Sequence, residues 1–99
     1  MPAKLPRLVG NWEKITESPC SRVYPTRLEF RPGGLYSGAG AEPGDAPGWD
    51  RGTWRLLSPN RVQVSTINDA IITYEVSIAD NVLTFVDPGG CEFQYERVR

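Results

Sequence analysis

Cys20 and Cys91, four tyrosines and a scatter of carboxylates carry most of the chemical potential of this 99-residue chain, which contains no histidine. That absence removes the commonest general base, the Ser-His and Cys-His arrangements, and the commonest metal ligand together. Two thiols are too few for a cysteine-only zinc site, so the pair is either a disulfide or two reduced thiols. Glu29, Glu75, Glu92 and Glu96 alternate with apolar neighbours and fall on a polar face, where a solvated charge is the default. Gly38-x-Gly40 followed by Gly44 has the wrong spacing for a phosphate loop, and no helix follows it. No Ser-Lys pair or ligand cluster stands out. The expectation is a protein that is not an enzyme and uses neither cofactor nor metal.

Charge narrows the partners. With 11 basic and 12 acidic residues the net charge is −1, which gives no electrostatic drive toward phosphate backbones or anionic lipid. Nucleic acid is not expected as a partner. No apolar run approaches the roughly 20 residues of a membrane helix, and the opening MPAKLPRLVG has no apolar signal-peptide core. These features fit a cytoplasmic protein, or a trimmed secreted or periplasmic domain if Cys20 and Cys91 are bonded.

The elements that must position these residues are strands. Period-2 alternation or β-branched and aromatic enrichment recurs over 8–16, 27–31, 34–39, 50–57, 61–67, 70–78, 82–87 and 91–98, with turn residues between. Most breaks are hairpin-sized, so consecutive strands should pair. The longer breaks are 17–26 (ESPCSRVYPT) and 40–49 (GAEPGDAPGW), and no segment reads as a helix of three turns.

Parity places Leu28, Phe30, Trp54, Leu56, Val62, Val64, Ile72, Tyr74, Val76, Ile78, Leu83, Phe85, Phe93 and Tyr95 on one side, with charged and hydroxyl side chains on the other. Eight such strands in order are best solved by an all-β fold, a small up-and-down antiparallel barrel, because closure removes the sheet edges. A two-sheet β-sandwich is the alternative. Residues 1–99 hold a single domain, since a chain this short supports one core.

Gly10-x-Trp12 in the first strand, Phe30-x-x-Gly33-Gly34-x-Tyr36 at the first hairpin, Gly52-x-Trp54 in mid-chain, Leu83-Thr84 and Tyr95-x-Arg97 together resemble a small lipocalin-like domain of the calycin group. The resemblance spans nearly the whole chain, which is shorter than typical lipocalins and leaves no room for their C-terminal helix. It implies that Trp12 packs across the closed end of the barrel beneath Arg97, with Gly10 letting the strand bend. The second Gly-x-Trp is expected to set a wall residue and a bend at the head of the fourth strand. With Trp12 beside Arg97, antiparallel counting sets Cys91 opposite residue 18, two positions from Cys20. A Cys20–Cys91 disulfide is therefore expected in an oxidising compartment, with two buried reduced thiols as the alternative.

An eight-stranded barrel is just wide enough to be filled by side chains or to hold one small ligand. The resemblance implies a small apolar or amphipathic molecule as ligand, and parity supplies a lining of Tyr36, Trp54, Thr66, Tyr74, Phe85, Phe93 and Tyr95. Lys14 falls inside by strict parity, so either the first strand bends there or Lys14 sits at a mouth. The alternative is a filled barrel that acts as a protein-binding module or inhibitor through the loops 17–26 and 40–49, with Trp49 as an exposed anchor or a lid residue. A monomer is expected; outward Leu57, Ile71, Val86 and Val98 leave dimerisation open.

Overall fold

The computed structural model describes residues 8–39, 51–65 and 71–98. Eight strands run Gly10–Lys14 (β1), Arg27–Phe30 (β2), Leu35–Ala39 (β3), Arg51–Ser58 (β4), Arg61–Ser65 (β5), Ile71–Ala79 (β6), Val82–Val86 (β7) and Glu92–Val98 (β8). They close into a barrel in sequence order, every neighbouring pair antiparallel, including β1 with β8. The up-and-down barrel expected from the alternation is the observed fold, and the sandwich is not. Among the described strands, closure leaves no open sheet edge.

Each strand feeds alternate side chains inward, as a period of two requires. Leu28, Phe30, Tyr36, Trp54, Val62, Val64, Tyr74, Val76, Leu83, Phe85, Phe93 and Tyr95 form one buried cluster with Trp12, Leu8 and Tyr24. Leu56, assigned inward by parity, pairs with the fully buried Val62 and is 37% exposed. It stands at the rim of the barrel, where it lines a shallow cleft with Leu8, Val76 and Ile78, and the register of β4 against β5 shifts only beyond it, before Ser58.

Because the strands alternate in direction, the barrel has two different ends. One gathers Leu8, the hairpin after β2, the β4–β5 and β6–β7 turns and the end of β8; the other gathers the β1–β2 loop and the β7–β8 turn. At the first end the expected pairing holds: Trp12 faces Arg97 across β1 and β8. The Arg97 guanidinium carbon lies 4.3 Å from the centre of the indole. Trp12 Nε1 donates to the Leu8 carbonyl at 2.9 Å, and Arg97 Nη1 donates to the Val9 carbonyl at 3.0 Å. Gly10 adopts φ +140°, and a Cβ there would fall 2.6 Å from Arg97 Nη1, so both conformation and close approach demand glycine.

The second Gly-x-Trp does more than shape a wall. Trp54 Nε1 is shared between the carbonyls of Arg31 (3.2 Å) and Leu35 (3.0 Å), pinning the β2–β3 hairpin to β4. Gly52 lies opposite Tyr36, and any side chain at Gly52 would enter the space of the Tyr36 ring and the Ser65 carbonyl oxygen.

Candidate functional site

The second end of the barrel is where the chain departs from regular strand, so it is the place to look for a site. The β1–β2 loop, read from sequence as an irregular break, contains a single 3-10 turn at Pro19–Val23. It is held down from several directions. Cys20 and Cys91 form the expected disulfide, which fixes the loop to the start of β8. Lys14 settles its parity conflict by standing at this mouth, where its Nζ donates to the carbonyls of Ser21 at 2.7 Å and Tyr24 at 2.9 Å. The Tyr95 hydroxyl reaches up from inside and donates to the Pro25 carbonyl at 2.6 Å.

Tyr24 closes the opening. Its ring stacks on Phe93 with centroids 3.9 Å apart and planes 13° apart, and meets Tyr74 edge-on at 6.1 Å. Its hydroxyl donates to Asp87 Oδ2 at 2.7 Å. Asp87 is itself fixed, because Oδ1 accepts the backbone N–H groups of Gly89 at 2.9 Å and Cys91 at 2.8 Å. Burial, then the hydrogen bond to Asp87, push the Tyr24 phenol well above its ordinary pKa. Burial does the same to Tyr95.

Beneath this cap the expected lining residues are brought together, and they touch one another. Phe30 meets Trp54 edge-on at 5.7 Å and Phe85 at 6.3 Å; Phe85 stacks on Phe93 at 5.2 Å and meets Tyr74 at 6.1 Å and Tyr95 at 5.8 Å. A continuous column of rings thus runs from Trp54 at one end to Tyr24 at the other. Phe85, Phe93 and Tyr95 have no exposed surface, and Tyr36 and Tyr74 have 2% and 1%. A side chain with no exposed surface adjoins no water-sized void, so this part of the interior is packed. No buried side-chain nitrogen or oxygen among the described residues lacks a hydrogen-bond partner.

Thr66 and Trp49 lie outside the described residues. Among the described residues there is no grouping of three or more His, Cys, Asp or Glu that could hold a metal ion, and no helix long and apolar enough to cross a membrane. Open depressions lie on the outside, one of about 430 Å³ over β1, β2 and β3 and one of about 400 Å³ beside Lys14, Glu17 and Arg22.

Two residues that matter at this end went unread in the sequence. Tyr24 sits in a segment without alternation, so parity gave it no direction. Asp87 read only as the last residue of the strand 82–87. The signal that could have found Tyr24 is its place four residues after Cys20: once the disulfide ties Cys20 to β8, a tyrosine that close must lie over the mouth.

Fold and site together define a closed, eight-stranded, up-and-down barrel with a disulfide-clamped cap. Comparison with models of protein families, with curated proteins and with solved structures gives no match to this chain.

Proposed function

We propose that this is a non-enzymatic binding protein of lipocalin-like, calycin-type architecture that works through the surface of its capped end, as a protein-binding module or inhibitor. The observation that carries this reading is the packed column of rings beneath Tyr24: Phe85, Phe93 and Tyr95 have no exposed surface, so an apolar ligand in mid-barrel would have to displace the core. Filling the interior instead makes the barrel a rigid support for its loops.

The cap has the properties of a contact surface. Ile15, Glu17, Pro19, Arg22 and Thr26 are exposed on a loop whose backbone is fixed by a disulfide and by Lys14. A loop already held in one conformation loses little entropy on binding, which is how preorganised surfaces gain affinity. The bonded cysteines suit an oxidising compartment.

The test is a pair of measurements. A thermal-unfolding screen against fatty acids, retinoids and sterols should leave the midpoint unmoved. A lumen ligand at a hundred times its dissociation constant would add about 2.7 kcal/mol of stability and shift the midpoint several degrees, and such a shift with altered tryptophan emission would overturn the reading in favour of a small-molecule carrier. Conversely, Arg22→Glu and Trp49→Ala should leave the midpoint in place and weaken binding to a purified partner; loss of the fold with Trp49→Ala would contradict an exposed anchor.

A further inference from the structure

Among the described residues, three groups that hold the Tyr24 side chain belong to the barrel wall and its β7–β8 turn. Phe93, on β8, is fixed by its stack on Phe85 and by Tyr95 at 6.0 Å. Tyr74, on β6, is fixed edge-on against the same Phe85 at 6.1 Å. Asp87 is fixed by two backbone N–H groups on Oδ1, which leave Oδ2 aimed at the phenol whether or not the phenol is there. Floor, wall and polar end are therefore built independently of their occupant. The arrangement has the features of a recognition site for a flat ring with one hydroxyl: an aromatic face to stack on, an aromatic edge, and a carboxylate to accept the O–H.

Tyr24 is delivered into that position by a loop with one covalent fastening, added to the hydrogen bonds of Lys14 to the Tyr24 carbonyl and of Tyr95 to the Pro25 carbonyl. Cys20 is exposed, four residues from Tyr24, and its disulfide to Cys91 is the only bond that ties the 3-10 turn to β8 covalently. We propose that the space between Phe93, Tyr74 and Asp87 is a binding slot for a small free phenol, which Tyr24 occupies while the Cys20–Cys91 disulfide is intact and vacates when it is reduced. A dithiol supplies the reduction: the sulfur–sulfur bond breaks, two electrons and two protons pass to Cys20 and Cys91 as thiols, and the dithiol is left as a disulfide. A tethered ring competes at an effective concentration in the millimolar range or above, so a free phenol enters when the tether loosens and not before. The exchange replaces one stacked ring and one hydroxyl with their equivalents.

The experiment follows ¹⁹F NMR of 4-fluorophenol added to oxidised protein, to protein reduced with dithiothreitol, and to Tyr24→Gly with its disulfide intact, the fold being checked by near-UV circular dichroism. Reduced wild type and Tyr24→Gly should each bind 4-fluorophenol at least tenfold more tightly than the oxidised protein does. Fluorobenzene, which has no hydroxyl for Asp87, should bind Tyr24→Gly at least tenfold more weakly than 4-fluorophenol. Folded Tyr24→Gly that ignores 4-fluorophenol, or binds fluorobenzene equally well, overturns the slot; folded reduced protein that shows no gain overturns the release. Equal affinity for N-acetyltyrosinamide would replace the small phenol with the tyrosine of a partner protein and overturn the assignment of a free ligand. Loss of fold in both reduced protein and Tyr24→Gly would make Tyr24 a core residue rather than an occupant, and would overturn the proposal as well.

Discussion

The hydroxyl of Tyr24 donates to Asp87 Oδ2 at 2.7 Å, a contact between residues 63 positions apart that joins the loop after the first strand to the last turn of the barrel. A hydrogen bond to a charged acceptor contributes about 1.5–3 kcal/mol. Tyr24→Phe keeps the stack on Phe93 and removes the hydroxyl that makes this bond, so urea unfolding should show a loss of about that size or more with an unchanged m-value. A loss under about 0.5 kcal/mol would mean that this hydroxyl contributes little to holding the cap.

The two buried phenols predict the behaviour in alkali. Tyr24 and Tyr95 both have pKa values raised above the ordinary 10, burial being the leading cause for each. Above pH 10 the unfolded chain releases these protons while the folded barrel keeps them, so the unfolded state is favoured as the pH climbs. The phenols' contribution is whole below about pH 10 and falls by about 1.4 kcal/mol per pH unit per phenol above it. Denaturation midpoints measured from pH 9 to 11 should decline, and the Tyr24→Phe, Tyr95→Phe double variant should decline less steeply. Equal slopes in the two proteins would show that the phenols titrate freely.

Gly52 and Gly33 should respond oppositely to the same methyl group. At Gly52 a Cβ would collide with the Ser65 carbonyl oxygen and sit 2.9 Å from the Tyr36 ring, so Gly52→Ala must displace either the β4–β5 backbone or a core aromatic. A cost of about 3 kcal/mol or more is expected, in the range of overpacked cores. At Gly33 nothing lies within 4 Å, and alanine there should change stability by less than about 1 kcal/mol. Thermal midpoints of the two variants decide the matter, and similar values would contradict the close approach at Gly52.

The outcome of reading the chain without its structure divides along the line between strand and loop. Inside the strands a side chain's direction follows from its parity, so the inward set at Phe30, Tyr36, Tyr74, Phe85, Phe93 and Tyr95 was legible, as was the Trp12–Arg97 register that brings Cys20 to Cys91. Parity gives Leu56 its side of the sheet, opposite buried Val62, but not its depth: it stands at the rim and is 37% exposed. It could not speak at all for Tyr24, because a 3-10 turn imposes no period of two. Lys14 was legible as a conflict, and the carbonyls that resolve it come from that same loop. What the sequence conveys is the wall of the barrel; the lid depends on tertiary contacts that only the closed wall creates.

Gly10 and Arg97 make the last prediction, and it concerns their dependence on each other. A methyl group at Gly10 would fall 2.6 Å from Arg97 Nη1, in a backbone conformation of φ +140° that disfavours any side chain. Gly10→Ala therefore carries two costs, local strain and the displacement of a guanidinium that lies on Trp12 and donates to the Val9 carbonyl. Arg97→Ala alone should lose the cation–π contact and its hydrogen bond, together about 1–3 kcal/mol. With Arg97 already gone, the second cost of Gly10→Ala disappears and only the strain of about 1–2 kcal/mol remains. The double variant should thus be more stable than the sum of the two losses allows, by about 1 kcal/mol or more. Additive losses in a denaturant-unfolding cycle would show that Gly10 serves the bend of the first strand and not the seating of Arg97.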